Sequence, residues 1–229
     1  MTALAAPPPV ATNEKIEKAS PPAPPAAPSC LSVAAPLVLY ARPATPISDE
    51  GFFQFCRDNR HLRVERTKEG EWIIMAPTGW EGGTRSGENF RQLANWARGD
   101  GTGIAADSST GVHLPNGADR SPDACWVLKS RLAVLTPEQR TRFLPLCPDF
   151  VAEVRSSSDS LSVLQAKMDE YLANGARLGL LLDPPNRTIY VYRPGQAAPT
   201  VLNDPETVPC DPELFGFVLD ARAIFDTSF

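Results

Sequence analysis

The sequence predicts an α/β domain built on a mixed central β-sheet flanked by helices. Three observations carry that expectation. Apolar runs of strand length alternate with amphipathic stretches of helix length, in the order helix, strands, helix, strands, helix, strands. Two of the runs, residues 123–128 and 149–155, each begin on a Pro-Asp turn. Clusters of glycine, proline and asparagine punctuate the boundaries where a chain must reverse.

Taken in order, Ser48 is placed to cap a helix beginning at Asp49, with Phe52, Phe53, Phe55 and Cys56 on its apolar side. Residues 62–66 and 71–75 read as hairpin arms around Lys68-Glu69-Gly70, and Pro77-Thr78-Gly79 ends the hairpin. A second helix runs from Glu81 or Ser86 to Arg98 on an apolar side of Phe90, Leu93, Ala94, Trp96 and Ala97, and the glycines from 99 to 103 stop it. Residues 104–107 and 111–114 are short strands about Ser108-Ser109-Thr110, and Pro115-Asn116-Gly117 is a turn. Between the two Pro-Asp strands, Thr136 caps a short helix that Pro137 opens. An amphipathic helix then runs to Ala173, with Leu161, Leu164, Met168, Tyr171 and Leu172 on one face and Asn174-Gly175 as its stop. Residues 178–182 form a continuous apolar strand and residues 188–192 another, joined through Asp183-Pro184-Pro185-Asn186. Residues 200–202 and 217–219 are edge strands.

Residues 1–45 read differently. Eleven of the 24 prolines fall within the first 46 residues, in runs such as Ala5-Ala6-Pro7-Pro8-Pro9. Such a stretch cannot bury enough apolar surface to offset its ordering entropy, so a disordered Pro/Ala-rich tail is expected over 1–45 and the domain over 46–229. A polyproline docking segment is the alternative, without a clean basic PxxP to support it. Lys15 and Lys18 lead into Pro-Ala sequence rather than an apolar core, and Pro36 breaks residues 31–40, so neither a secretory signal nor a spanning helix is expected and the protein is placed in the cytoplasm. The five cysteines, Cys30, Cys56, Cys125, Cys147 and Cys210, include no CxxC pair and read as reduced thiols rather than a disulfide frame or a zinc site.

The net charge is −5, and the tail, with Lys15, Lys18 and Arg42 against Glu14 and Glu17, leaves the domain more acidic still. That counts against a protein that coats nucleic acid by phosphate neutralisation. It is compatible with acidic metal ligands inside a local basic rim.

The candidate site lies in the Pro-Asp strands. Phe150, Val151, Ala152 and Val154 bracket Glu153 with apolar residues, and a carboxylate there costs desolvation unless a cation meets it. If the two strands lie side by side, Asp123 and Glu153 converge on one divalent cation, with the carbonyl of Val154 as a third oxygen ligand; this set suits Mg2+ or Mn2+. Asp123 is otherwise an ordinary turn residue, and Glu153 a paired structural one. Two residues after Glu153 stands Arg155, which can bind phosphate but is a poor base. Lys167, at the border of the buried stripe of its helix, can run its stem over the core and deliver its ammonium to the sheet edge. The alternative for it is a solvated pair with Glu170. A Ser/His/Asp hydrolase built from Asp107, Ser108 or Ser109 and His113 lacks a GxSxG elbow, and no GxxxxGK phosphate loop exists.

An ordered set of segments carries a resemblance. Ile74-Met75-Ala76-Pro77-Thr78-Gly79, Asp107-Ser108-Ser109-Thr110-Gly111, Leu114-Pro115-Asn116-Gly117, Arg120-Ser121-Pro122-Asp123 and Leu164-Gln165-Ala166-Lys167-Met168 resemble the Uma-type family of restriction endonucleases, in the PD-(D/E)xK nuclease superfamily. So do residues 171–175 and the stretch from Leu182-Asp183-Pro184 to Val191-Tyr192, and the likeness spans about residues 46–226. It implies a restriction-endonuclease-like fold and a Mg2+- or Mn2+-dependent endonuclease acting on DNA, with Asp123 and Glu153 as metal ligands and Lys167 as a displaced catalytic lysine. Glu81 matches a family glutamate that assists the metal. The chain departs from the family where Arg155 replaces the usual lysine, and where Ser156-Ser157-Ser158-Asp159 replaces Ser-Pro-Ser-Asp. The partners so implied are DNA and, for assembly, a second copy of the chain, with no membrane. A nuclease fold that has lost catalysis and serves as a binding or assembly module is the competing expectation.

Overall fold

Ser48 starts the first helix as its side chain requires: its hydroxyl oxygen accepts from the Gly51 N–H at 3.1 Å and caps α1, Asp49–Asp58. The computed structural model describes Val38–Leu39 and residues 47–226; the expected tail lies otherwise outside the described residues. Phe52 of α1 packs edge-on against Trp72, anchoring the helix to a five-stranded sheet. That sheet runs in the order β1 (Val38–Leu39), β3 (Trp72–Met75), β2 (Arg63–Arg66), β6 (Asp119–Arg120), β5 (Val112–His113). The expected hairpin of β2 and β3 is present, in the register Arg63↔Met75.

The second sheet has six strands. Its order is β11 (Thr200–Asn203), β10 (Thr188–Tyr192), β9 (Leu178–Asp183), β8 (Phe150–Val154), β7 (Ala124–Leu128), β4 (Gly103–Asp107). All its neighbours are antiparallel except β8 and β9, which are parallel and joined through α4, Leu161–Ala173. The sheet is therefore mixed, as expected, and helices cover both faces.

Period-2 alternation sorts its side chains. Trp126, Phe150, Ala152, Leu180 and Leu182 face α2, Trp80–Asp100, where Leu93 and Ala97 are buried. Cys125, Val151 and Leu181 face the other way, onto Met168 and Tyr171 of α4. Gly179 lets α4 approach closely, because a Cβ there would stand 2.5 Å from the Met168 Cε. Gly101, at φ 73°, closes α2.

The two strands expected about Ser108-Ser109-Thr110 are present, β4 in the large sheet and β5 in the small one. Other expectations are corrected. The helix behind Thr136 is a 3-10 turn, Gln139–Thr141, held because Thr136 and Gln139 cap each other's N–H through their side chains. Residues 217–219 do not extend the main sheet; β13 (Val218–Asp220) pairs with β12 (Thr207–Pro209) in a separate ribbon. The short helices α3 (Lys129–Ala133) and α5 (Arg222–Phe225) carry too little periodicity to be seen in the sequence. Among the described residues, no helix is long and apolar enough to cross a membrane.

Candidate active site

The register of β7 against β8 builds the site. Ala124 pairs with Ala152 in antiparallel fashion, so the preceding Asp123 comes to lie opposite Glu153. Asp123 is fixed further by its Oδ2, which accepts from the Val154 N–H at 2.9 Å. Both side chains stand on the α4 face, at the height where Val151 and Leu181 give way to charge.

Lys167 reaches that point from α4. Its Nζ lies 2.8 Å from the Glu153 Oε1 and donates to the Glu65 Oε1 at 2.9 Å. Tyr171, one turn on, donates its hydroxyl to the same Glu153 oxygen at 3.0 Å. Glu65, on β2 of the small sheet, also accepts from the Ser121 N–H at 2.9 Å and from Arg120 at 3.3 Å. Arg120 donates in turn to Glu170 at 2.6 Å. Lys167 and Glu170 therefore do not form the solvated pair that helix spacing allows; each is taken by a buried partner from the small sheet.

Electrostatics follow from this packing. Burial pushes the Glu153 carboxyl up to about 7: Lys167 opposes the rise, and the nearby charges of Asp123 and Glu65 add to it. Burial works against the charge of Glu65 too, yet Lys167 and Arg120 win and hold it below the usual carboxylate range. Burial disfavours the Lys167 ammonium, but Glu153 and Glu65 outweigh that and raise its pKa above an ordinary lysine's. Metal-free Lys167 is thus held protonated.

The other site residues of the sequence are placed as follows. Arg155 is not aimed at this cluster: its Nη1 donates to the fully buried Asp183 at 2.9 Å and its Nε to the Asp159 carbonyl at 3.0 Å. With Asp159 accepting from the Ser156 N–H and hydroxyl, it ties down the loop into α4. Glu81 sits in the first turn of α2, largely exposed, paired to Arg85 at 3.2 Å and making no bond to Asp123, Glu153 or Lys167. His113 does not join a serine triad; it binds Asp119 at 2.9 Å, while Ser109 bonds Asp107.

Glu65, Arg120, Glu170, Tyr171 and Arg63, whose Nη2 lies 3.5 Å from the Asp123 Oδ1, are members of the cluster that the sequence did not point to. The alternation Arg63-Val64-Glu65 was a signal, since it set Glu65 on the face away from Val64. Nothing local said that this face was covered. Among the described residues, no three His, Cys, Asp or Glu side chains stand ready as a metal-ligand set; the ammonium of Lys167 lies between two of the carboxylates.

The domain is thus a mixed sheet with helices on both faces, carrying an acidic pair and a lysine on adjoining elements. The chain belongs to the Uma2 family, described as "Putative restriction endonuclease", which matches residues 49–222. Among solved structures it is similar to a putative nuclease belonging to DUF820 from Anabaena variabilis ATCC 29413. That likeness has a TM-score of 0.61 at 20% identity and covers 71% of this chain and 89% of that one, so it establishes the fold. No curated protein matches the chain.

Proposed function

We propose that the protein is a Mg2+- or Mn2+-dependent endonuclease that hydrolyses DNA phosphodiester bonds at the Asp123–Glu153–Lys167 cluster. The observation that carries the reading is the geometry at Glu153: a buried carboxylate opposite Asp123 across β7 and β8, with the Lys167 ammonium 2.8 Å away. The donor set suits a hard dication, which takes carboxylate and carbonyl oxygens. Asp123 and Glu153 would hold it, with the Val154 carbonyl as a third donor. When bound, the ion polarises the phosphate and lowers the pKa of a water beside it.

The chain's own groups do the rest. Tyr171 donates to the Glu153 Oε1 and fixes that carboxylate's rotamer. Glu65 holds Lys167 against the sheet, and Arg120 and Ser121 hold Glu65. Lys167 keeps its proton on Nζ and serves as a donor to the nucleophile or to the phosphate, stabilising the charge that develops there. With two carboxylates on its Nζ, Lys167 is better placed to donate than to act as a general base. Arg155 serves the loop through Asp183 rather than the phosphate.

The same grip favours a second reading, in which Lys167 permanently neutralises the acidic pair and the fold is a binding or assembly module without catalysis. Calorimetric titration with Mn2+ and nicking of supercoiled plasmid separate the two. The enzyme reading expects saturable Mn2+ binding and cleavage that Asp123→Ala and Glu153→Ala each abolish without unfolding the protein. Cleavage unchanged in either variant removes the site.

A further inference from the structure

We infer that Arg63 is the residue that receives the substrate's phosphate, an inference that rests on the nuclease reading above. Arg63 opens β2 two residues before Glu65, so the strand's alternation sets both side chains on the face that meets Lys167. The two ends of that face differ. The side chain of Glu65 is 3% exposed and that of Lys167 12%, whereas Asp123 is 16% and Arg63 39% exposed. The cluster is closed at Glu65 and open at Arg63 and Asp123, so a phosphodiester too large to enter reaches Asp123 past the Arg63 guanidinium.

The bonding of Arg63 is loose where that of its neighbours is tight. Its Nη2 donates to the Ser121 carbonyl at 3.1 Å and lies 3.5 Å from the Asp123 Oδ1. Its Nε is buried and has no hydrogen-bond partner among the described residues. By contrast, Arg66 holds Asp119 and Asp49 at 2.6 Å each, Arg120 holds Glu170 at 2.6 Å, and Arg155 holds Asp183 at 2.9 Å. Those three are committed to carboxylates within the protein. Arg63 offers an incoming ligand the exposed end of its guanidinium, beyond the buried Nε, and that planar end matches a phosphate bidentately. Its contact with Asp123 sets it beside the proposed metal position, where the scissile phosphate must lie. Ser121 shares the arrangement, since its carbonyl accepts from Arg63 and its N–H donates to Glu65, so one residue orients both ends of the face.

The test is fluorescence anisotropy of a labelled DNA duplex titrated with the full chain in Ca2+, repeated over about 50 to 200 mM salt. Arg63→Ala should keep its melting temperature near the parent's, lose about tenfold in affinity, and reduce the slope of log K against log salt by about one. Arg63→Lys should recover the slope and only part of the affinity, because an ammonium supplies charge without the fork. The paired change Arg155→Ala with Asp183→Asn removes a buried charge together with its partner and should bind DNA as the parent does. Parental affinity and slope in Arg63→Ala, beside a parent that binds, overturns the Arg63 assignment alone. A parent that binds no DNA overturns it together with the nuclease reading.

Discussion

Strands β2 and β6 carry charge on both faces, and the two faces settle it by different means. On one side Arg66 meets Asp119 and Asp49 at 2.6 Å, with His113 on Asp119 at 2.9 Å. On the other, Glu65 meets Arg120 and Lys167, and the chain runs on to Glu170, Glu153 and Asp123. Burial raises the Asp119 pKa even against the hydrogen bond from His113 and the charge of Arg66. That face includes the His113 imidazole, 3.7 Å from Asp49. The Glu65 face has only carboxylates, two arginines and a lysine. Burial raises the Glu153 pKa there, and on the nuclease reading proposed above a cation from outside would share its carboxylates. The two ion-pair networks thus differ in composition, and on that reading only the second would hold a metal.

The sharpest way to break this comparison is to remove the central cation of each face. Lys167→Met leaves the buried Glu153 with only the Tyr171 hydroxyl, Arg66→Met leaves the buried Asp119 with only His113, and each should lose about 3–5 kcal/mol of stability in metal-free buffer. Mn2+ should divide them. At a hundredfold over its Kd a bound ion adds about 2.7 kcal/mol, so thermal denaturation of Lys167→Met should recover much of its loss. Arg66→Met, whose defect lies on the other face, should gain no more than the parent does. Equal rescue of both variants would show that the faces are not distinct in this respect.

A smaller effect concerns Glu153. Its folded pKa, about 7, lies above the 4.5 of an ordinary glutamate. Between those values the native state holds a proton that the unfolded chain has released, so stability falls as pH rises through that window and the full penalty stands above pH 7. Glu153→Gln should therefore melt higher than the parent in metal-free buffer at pH 8, with the gain shrinking towards pH 4.5. A gain independent of pH would mean that Glu153 is not the strained group. Adding Mn2+ at pH 8 should reverse the order, since only the parent keeps the ligand.

How much of this was legible in the sequence depends on the range of the interaction. Ser48, Gly101 and the Asn174-Gly175 stop act on their own helix ends, and those boundaries could be read directly. Glu153 announced itself because a carboxylate among Phe150, Val151, Ala152 and Val154 is costly in any fold. Glu65 could not, since Arg63-Val64-Glu65-Arg66 looks like a half-solvated strand until α4 lies across it; in the folded protein Glu65 is 3% exposed. Arg155 misled for the opposite reason: its spacing from Glu153 fits a phosphate contact, and only the parallel pairing of β8 with β9 reveals that Asp183 is beside it. Short pairings such as β6 with β2, a single bridged pair, have no periodicity to detect.

The smallest expected effect marks the boundary of the charged face. Glu81 is a surface carboxylate in the first turn of α2, paired with Arg85 at 3.2 Å across one helical turn. An exposed pair of this spacing contributes about 0.3–0.5 kcal/mol, and an acid near a helix N-terminus a similar amount through the dipole. Glu81→Gln should therefore shift stability by less than about 1 kcal/mol. Because Glu81 makes no bond to Asp123, Glu153 or Lys167, its loss should leave the Mn2+ isotherm at the parent's affinity, while Asp123→Asn should weaken it severely. Side-by-side calorimetry of the two variants decides the matter. A tenfold loss of Mn2+ affinity in Glu81→Gln would extend the metal site to α2, and would mean that helix and sheet close on the ion in a way the metal-free protein does not display.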